Sequence, residues 1–445
     1  MTFQGKRKVL IITYYWPPSG GAGVQRWLKF TKYLREYGWE PIIYTPENPE
    51  APAQDFTLLN EIPEGIEKIT TPIWEPYEFY KKLVGMKKGE KVNAGFLNEK
   101  KNPGLAEGFS TWVRGNFFIP DARKFWIKPS IKFLVKYLTQ NPVDAIISTG
   151  PPHSMHLIAL GVKNKLNIPW LADFRDPWTG IDFYHQLHLS WFADKKHKRL
   201  EKSVLAKADS VTTVSRNWSK DLELIYPRKV EVVTNGFDPE DFTYKSPEPD
   251  KKFTLTHVGS LNKDRNPDFL WATLKEICAE STLFEKDLEL KFIGKTDIAV
   301  FEQLEKQGLA AKATKIDYMP HKEVIAEAAR SQVLMLLINN TPNMAGIIPG
   351  KLFEYLASNR PILCIAPVNG DSAKIIKESG AGEAIGFGDS VLLKKVILTM
   401  YAKYKKGELS VSGGAIQQFS RRKLTRSIAE LLDSITVQKQ ALKKQ

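Results

Sequence analysis

The stretch VLIITYYWPPSGGAGVQRWLKFTKYL, residues 9–34, predicts a strand, a turn and a helix in that order. Residues 9–13 form an apolar run that is typical of a buried strand. After the turn, apolar residues recur at helical spacing, at Val24, Trp27, Leu28 and Leu34. The helix is predicted to stop near Gly38, and a second strand follows at residues 41–45. This order predicts a βαβ unit, and therefore a parallel sheet.

The turn contains three glycines, Gly20, Gly21 and Gly23. They do not complete a dinucleotide fingerprint, because the third glycine of that motif would fall at position 26, which is Arg26. No acidic residue is well placed at the end of the next strand, so a nicotinamide enzyme is disfavoured. A glycine loop at a helix start lets backbone N–H groups approach an anion or a sugar hydroxyl. The alternative is a tight turn with no ligand.

The 445 residues predict two domains of the α/β class. Apolar strand patterns alternate with helices in the first half, at residues 144–148, 170–174, 210–214 and 230–233. After a polar, proline-rich break the alternation resumes, with strands at residues 253–258, 288–293, 315–319, 333–338 and 361–365. We expect two Rossmann-like, doubly wound parallel-sheet domains facing across a cleft. The predicted domains are residues 1–240 and 241–415, followed by a C-terminal helix at 416–445 that could cross back to the first.

The composition favours a soluble globular protein, with 42% hydrophobic and 26% charged residues. The two cysteines, Cys278 and Cys364, have no cysteine or histidine at metal-ligand spacing, which favours a reducing, cytoplasmic setting. No apolar run approaches the roughly 20 residues of a membrane helix. The net charge is +14 and is uneven, because residues 81–132 hold twelve Lys or Arg against four Asp or Glu.

This basic region, an insertion at about residues 75–132, has two interpretations. A solvated, irregular insertion is favoured for MKKGEKVNAGFLNEKKNPG, residues 86–104. For RGNFFIPDARKFWIKP, residues 114–129, the mixture of aromatic and cationic residues favours a surface that meets an anionic partner. Acidic lipid, an acceptor that carries pyrophosphate, and nucleic acid all fit that description.

Charged residues follow the predicted strand at 170–174, in the sequence LADFRDPW. Asp173, Arg175 and Asp176 are costly at a strand end unless they are paired or face a cleft. A structural Asp–Arg pair is one interpretation. The other is that Asp173 bonds a substrate hydroxyl or supports charge at a reacting carbon, because ligands bind at the carboxyl ends of such strands.

The second domain has two such strand ends. In HVGSLNKDRNP, residues 257–267, small residues and cations precede a helix. This pattern is typical of either a phosphate site or a basic surface loop. These candidates are Gly259, Ser260, Lys263 and Arg265. In NNTPNMAGIIPGKLFEYLASNRPIL, residues 339–363, the candidates are Asn339, Gly350, Lys351 and Glu354. The Lys351 ammonium and a backbone amide at the helix start can face a diphosphate. The nearby Glu354 carboxylate can either accept hydrogen bonds from a ribose diol or compensate the helix dipole.

Metal binding is not predicted. His153 and His156, and likewise His185 and His188, are three residues apart, but no carboxylate or cysteine completes a ligand set. No Asp-x-Asp motif occurs. The histidines are interpreted as structural or as part of an acceptor site.

The sequence resembles the bacterial GT-B glycosyltransferases of the glycosyltransferase 4 family over nearly its whole length, in a branch that makes surface polysaccharide and lipopolysaccharide. The resemblance rests on six segments: YYWPPSGGAGVQR, RGNFFIPDARKFWIKP, STGPPHS, ADFRDPW, TNGFD and PGKLFEYLASNRPIL. It implies a sugar transfer from a nucleotide diphosphate sugar to a glycan or lipid-linked hydroxyl. Retention at the anomeric carbon and independence of metal and cofactor are also implied.

The resemblance assigns a role to each candidate. The glycine loop would lie near the donor phosphate and the acceptor, and Asp173 beside the reacting sugar. Arg265 and Lys351 would bind the diphosphate, and Glu354 the ribose. The sequence departs from the family at Gly346, where a glutamate is usual, and at Ser260, where an arginine is usual. Arg265 or Lys263 would then supply the missing cation.

Two other functions remain open. A nucleotide-sugar 2-epimerase shares the architecture, and a non-enzymatic protein that binds membrane or nucleic acid would explain the basic charge, although charge alone leaves Lys351 and Glu354 unexplained. Nucleic acid is the less favoured partner. The expected location is the cytoplasm, with a peripheral position on the inner face of the plasma membrane as a further expectation.

Overall fold

The computed structural model describes residues 6–50, 54–75, 105–242, 247–317, 319–411, 414 and 416–442. The chain forms two compact units, residues 1–234 with 422–445 and residues 235–421. We call them the first and the second unit. The segment 86–104, interpreted above as a solvated insertion, lies outside the described residues.

The first unit is built on a seven-stranded parallel sheet in the order β3-β2-β1-β4-β5-β6-β7. Its strands are β1 Arg7–Ile12, β2 Trp39–Pro46, β3 Glu67–Thr71, β4 Ala145–Gly150, β5 Trp170–Phe174, β6 Ser210–Thr213 and β7 Glu231–Val232. Its first helices are α1 Ala22–Leu34, α2 Leu105–Phe117, α3 Lys124–Gln140, α4 Ser154–Leu166, α5 Trp191–Lys207 and α6 Arg216–Ile225.

The second unit is built on a six-stranded parallel sheet in the order β10-β9-β8-β11-β12-β13. Its strands are β8 Phe253–Val258, β9 Leu288–Ile293, β10 Ala313–Ile316, β11 Val333–Leu337, β12 Ile362–Ile365 and β13 Gly382–Ile385. Its helices are α7 Asp268–Glu280, α8 Thr282–Asp287, α9 Ile298–Lys306, α10 His321–Arg330, α11 Lys351–Ala357, α12 Asp371–Glu378 and α13 Ser390–Lys405.

Both sheets are covered on both faces, which explains their continuous apolar strands. In β1, Leu10 and Ile12 pack into one core while Val9 and Ile11 pack into the other. In the second unit, β11 divides its side chains between two cores in the same alternating way. The period-2 geometry of a strand therefore places every second residue under a different layer of helices.

The last helix, α14 (Arg421–Leu442), packs on the first unit. Ile428 and Leu432 are buried in the core that also contains residues of α1. Asp433 accepts a hydrogen bond from the Trp39 indole at 2.8 Å and forms an ion pair with Arg7 at 2.7 Å. In the described residues, no helix is long and apolar enough to cross a membrane.

The edge strands show where the sequence pattern was weak. The predicted strand at 315–319 is wrong by about three residues, since β10 spans Ala313–Ile316. Both β3 and β13 were missed, because an edge strand exposes one side and its sequence (EKITT, GEAI) carries little apolar pattern. The central strands β5, β8 and β9 match the predicted bounds.

Each sheet has a point where the strand order reverses, between β1 and β4 and between β8 and β11. Loops that leave neighbouring strands there diverge to opposite faces, which opens a crevice at the carboxyl ends of the strands. The two candidate sites lie at these two points.

Candidate active site

The site of the second unit joins the loops that follow β8 and β11. Arg265 donates a hydrogen bond to the Asn339 side chain and another to the Ser260 carbonyl at 3.4 Å. The ammonium group of Lys351, at the start of α11, donates to the Val258 carbonyl at 2.7 Å. The geometry therefore brings together candidates from distant segments, since Arg265 and Asn339 are 74 residues apart in sequence.

Glycine is needed at the turn after β8. Gly259 has a φ of +94°, a left-handed conformation that side chains rarely adopt. Gly294, after β9, has a φ of +106°, and a Cβ added there would lie 3.3 Å from the Gly259 carbonyl oxygen. A Cβ on Gly259 would lie 3.7 Å from the Lys351 ammonium. The turn thus keeps the space beside this cation open.

Lys351 lies in an electrostatic environment that favours an anion. Burial, and then repulsion from Arg265, lowers the pKa of its ammonium group to about 7, and Glu354 offsets only part of this effect. Its nearest polar partners are a carbonyl and His257 Nε2 at 3.1 Å, and burial also lowers the pKa of His257 well below its usual range. No acidic side chain lies within ion-pair distance of Lys351 among the described residues. A bound diphosphate would supply the missing negative charge.

Glu354 lies one turn into α11. Its carboxylate is 3.1 Å from His321 Nε2 and remains partly open to solvent. The next residue, Tyr355, accepts a hydrogen bond from the Val258 amide through its hydroxyl at 2.9 Å, which fixes α11 against β8. Glu354 is therefore held in place and accessible, as a ribose ligand would need to be.

Two expectations for this site need correction. Lys263 is exposed, and no contact of its side chain with the Arg265–Lys351 cluster is found among the described residues. The helix amides also contribute less than expected, because Leu352 and Phe353 donate to the Pro349 and Gly350 carbonyls. An anion bound here would therefore depend mainly on the cationic side chains rather than on the start of this short helix.

The site of the first unit is a cavity of about 430 Å³ at the crossover between β1 and β4. Its walls come from the β1–α1 and β4–α4 loops, the end of α2 and the segment after β5. Gly20, Gly21 and Gly23 line it, and no side chain caps the start of α1. Gly21 has a φ of +95°, and a Cβ on Gly23 would lie 3.2 Å from the Arg175 guanidinium. The glycines therefore expose the backbone to the cavity and make room for Arg175.

Arg175 ties the two loops together. It donates to the Gly23 carbonyl and to the Pro151 carbonyl, each at 2.8 Å. Asp176, which lies 3.7 Å from the Arg175 Nε, faces the cavity with 39% of its side chain exposed. Burial raises the pKa of Asp176 more than the Arg175 charge lowers it. The cavity thus contains a carboxylate whose proton affinity is increased.

Asp173 does not reach the cavity, which corrects the prediction that it faces a substrate. It is fully buried, and Arg26 binds its two carboxylate oxygens at 2.9 and 3.0 Å. Further hydrogen bonds come from the Trp27 indole and from the hydroxyls of Thr149 and Thr212, at 2.8 to 3.0 Å. The structural pair is therefore the correct interpretation, with Arg26 rather than Arg175 as the partner.

The histidines near the cavity are neutral. His153 lines it and stacks on Trp178, with ring centroids 4.8 Å apart. Burial lowers the pKa of His153 well below its usual range and that of His156 to about 3. His197 accepts a hydrogen bond from the Trp178 indole at 3.0 Å, and burial lowers its pKa as well. Anionic ligands would therefore depend on arginine here. Within the described residues, no group of three or more His, Cys, Asp or Glu could hold a metal ion.

Residues 98–241 match the model of the family described as Glycosyltransferase Family 4. The predicted resemblance is confirmed. The match covers the β4–α4 loop, the segment after β5 and the end of α2, which contribute most of the cavity wall. The chain is a glycosyltransferase by this match, as the sequence predicted. No curated protein is significantly similar in sequence.

Solved structures confirm the GT-B fold. The chain is similar to the Anabaena protein HepE in complex with UDP-glucose, with a TM-score of 0.61, 14% identity and coverage of 96% of this chain and 100% of that chain. It is also similar to WaaG, a glycosyltransferase involved in lipopolysaccharide biosynthesis (TM-score 0.54, 13% identity, coverage 96% and 98%). A putative UDP-N-acetylglucosamine 2-epimerase from Listeria monocytogenes shares the fold (TM-score 0.55, 11% identity, coverage 97% and 96%). At these identities the likeness shows the fold alone.

Sequence reasoning missed four residues that shape the two sites. Arg26 was considered only as an interruption of a glycine motif, although a cation inside an apolar helix pattern signals a buried partner. His257 lies within a buried strand, and His321 begins a helix far from Glu354 in sequence. Trp178 is the last residue of LADFRDPW, so its position beside the charged residues was a second local signal.

Proposed function

We propose that this glycosyltransferase moves a sugar from a nucleotide diphosphate sugar to a hydroxyl group of a glycan or lipid-linked acceptor. The observation that carries the proposal is the meeting of Lys351 and Arg265 at the switch point of the second unit, where Lys351 has a lowered pKa and, among the residues that the structure describes, no carboxylate partner. Two cations are held together most stably when an anion lies between them. A diphosphate has the charge and the reach to bridge both.

Loss of the diphosphate from the sugar is the difficult step, because negative charge accumulates on the leaving group. Lys351 and Arg265 are fixed by hydrogen bonds before the ligand arrives, so they would stabilise that charge with little reorganisation. Glu354 would hold the ribose hydroxyls. We propose a metal-independent reaction on this basis, and retention at the anomeric carbon on the family resemblance. The UDP-glucose in the HepE structure supports the donor class.

The cavity of the first unit would bind the acceptor. Its aromatic walls suit a sugar ring, and Asp176 would accept a hydrogen bond from the hydroxyl that attacks. A role in cell-surface polysaccharide synthesis, in the cytoplasm and at the inner face of the membrane, belongs to the same proposal. The likeness to WaaG supports it.

A thermal-shift panel of UDP-, GDP-, ADP-, CMP- and TDP-sugars tests the donor class, because a ligand of the folded state raises the melting temperature by mass action. We expect one nucleotide class to stabilise the protein. Stabilisation by none of them, together with no sugar release in a hydrolysis assay, would contradict the proposal.

The epimerase is a second candidate, favoured by the Listeria structure. Incubating the protein with the donor alone, followed by NMR, separates the two functions. An epimer that forms without acceptor supports the epimerase. An unchanged sugar that is transferred once acceptor is added supports the transferase.

Replacing Glu354 by alanine should weaken nucleotide-sugar binding by about 10-fold, because hydrogen bonds to a charged group are lost. Isothermal titration measures the effect. Glu323→Ala is the matched control, because Glu323 is an exposed carboxylate on α10, the helix that supplies His321. Equal affinities for Glu354→Ala and the wild type would remove the ribose assignment.

Replacing Asp176 by asparagine should lower acceptor turnover by about 100-fold and leave donor affinity unchanged, because an amide is a weak proton acceptor. The acidic limb of the pH–rate profile should disappear as well. Asp182→Asn is the matched control, since Asp182 raises the pKa of Asp176 but does not line the cavity. If both variants behave alike, Asp176 does not contact the acceptor.

A further inference from the structure

One side of the first unit exposes an unusual number of large aromatic side chains. Trp74 is 63% exposed, Trp191 64% and Phe192 77%. We define the aromatic–lysine face by six exposed rings, Trp74, Trp112, Phe117, Phe125, Trp191 and Phe192. Exposed apolar patches of this kind mark interaction sites in soluble proteins.

The rings on one half of this face are continuous. Trp74 packs edge-on against Phe125, with centroids 4.8 Å apart, and Trp112 packs against Phe117 at 5.7 Å. Lys124 joins the two pairs, because its ammonium lies 4.9 Å from the Phe125 ring and donates to the Phe117 carbonyl at 2.6 Å. These contacts combine the end of α2 with the start of α3.

The start of α5 extends the same face. The Asn116 side chain accepts a hydrogen bond from the Ser190 amide at 2.7 Å and donates to the His188 carbonyl at 3.3 Å. Trp191 and Phe192 follow directly, with ring centroids 4.9 Å apart. The Lys195 ammonium lies 4.6 Å from the centroid of the Trp191 ring. Burial, and then repulsion from Lys196, lowers the pKa of Lys124, which indicates that the lysines of both halves are close.

We propose that the aromatic–lysine face docks on an anionic membrane surface. Trp and Phe insert at the boundary between lipid headgroups and acyl chains, and lysines on the same face are attracted to acidic headgroups. A protein partner would not require lysine ammonium groups placed between the rings. The lysines are therefore the feature that favours lipid.

The face adjoins the cavity of the first unit. Phe118 lines the cavity and lies 6.1 Å from Phe125. Arg114 also lines it, and its guanidinium has no ion pair within the part of the chain that the structure describes. This step rests on the proposed function: the arrangement indicates a lipid-linked acceptor whose phosphate binds Arg114. The docking itself does not depend on the reaction.

Co-sedimentation of the full chain with vesicles tests the docking. We expect binding to phosphatidylcholine vesicles that contain phosphatidylglycerol, and about 10-fold weaker partitioning for the double variant Trp191→Ser with Phe192→Ser. Phe56→Ser is the control, because Phe56 is 63% exposed and its neighbour Leu58 packs into the core on the other side of the sheet. Circular dichroism and the melting temperature check that each variant folds.

Charge is tested separately. Lys195→Glu with Lys196→Glu should reduce binding by about 10-fold at low salt and less at high salt, because salt screens exposed charges. Lys207→Glu, at the other end of α5, should have little effect. Binding by Trp191→Ser with Phe192→Ser that equals the wild type would overturn the proposal. A dimer that this variant dissociates, without vesicle binding by the wild type, would overturn it in favour of a second copy.

Failure of docking and failure of the proposed transfer are distinguishable. Vesicle binding needs no donor, and the thermal-shift panel needs no lipid. A protein that binds nucleotide sugar but not vesicles would contradict only the membrane docking.

Discussion

Replacing Asp173 by alanine should destabilise the protein by about 3–5 kcal/mol, because it removes the carboxylate that compensates the buried Arg26 charge. Both side chains are fully buried, and their two hydrogen bonds are 2.9 and 3.0 Å long. Asp173 also accepts hydrogen bonds from side chains of α1, β4 and β6. Loss of its carboxylate would therefore loosen the centre of the first sheet. Urea denaturation monitored by circular dichroism measures the change.

A double variant separates charge from packing. Arg26→Met with Asp173→Leu removes both charges and should recover part of the lost stability, because no unpaired buried charge remains. The recovery should be incomplete, because Trp27, Thr149 and Thr212 still lose their hydrogen-bond acceptor. Arg26→Met alone should be as damaging as Asp173→Ala. An Asp173→Ala variant with wild-type stability and no activity would contradict this account and restore Asp173 as a catalytic carboxylate.

Replacing Lys351 by methionine should lower kcat/KM by about 100- to 1,000-fold, because a preorganised cation at the leaving group is lost. Methionine keeps much of the apolar stem, and the ammonium is held by a carbonyl and a neutral imidazole rather than by a carboxylate. The variant should therefore fold. Steady-state kinetics with saturating acceptor measures the effect.

The same lysine makes a prediction about pH. Its pKa of about 7 means that the ammonium form dominates below pH 7, and that the neutral amine dominates above it. Since the diphosphate binds the ammonium, donor affinity should fall as the pH rises from 6 to 8. The ligand should be an intact nucleotide sugar, because the terminal phosphate of a free nucleotide titrates in the same range.

Two variants sharpen this experiment. Lys351→Arg keeps its charge at every pH used, so its affinity should not change between pH 6 and 8. Lys351→Met should also show no change, at a lower affinity. A wild-type affinity that is constant over this range would show that Lys351 does not titrate at the donor site.

The sequence could predict those parts of the fold and of the sites that depend on local patterns. Central strands such as β1 and β11 carry continuous apolar runs (VLII and VLMLL), which are typical of a sheet covered on both faces. Small residues and cations in the loops after such strands, up to the next helix, made Gly259, Arg265 and Lys351 candidates, because the carboxyl ends of parallel strands meet at one edge. The geometry of these residues follows from that rule.

Contacts between distant segments could not be predicted in this way. The partner of Asp173 is 147 residues away, and nothing in LADFRDPW distinguishes a cleft from a buried Arg26. Edge strand β3 (EKITT) has one apolar residue, so its pattern does not differ from that of a loop. The mixed aromatic and cationic residues of segment 114–129 predicted a surface that meets a partner. Trp74 and Trp191 lie outside that segment, and only the fold makes them part of the same surface.

In the proposed mechanism, the donor diphosphate lies between Lys351 and Arg265. A crystal structure with the nucleotide sugar that gives the largest thermal shift tests it directly. We expect diphosphate oxygens about 3 Å from the Lys351 Nζ and from the Arg265 guanidinium, with the ribose hydroxyls bound to Glu354. A diphosphate bound elsewhere, with Lys351 still bonded only to Val258 and His257, would contradict it.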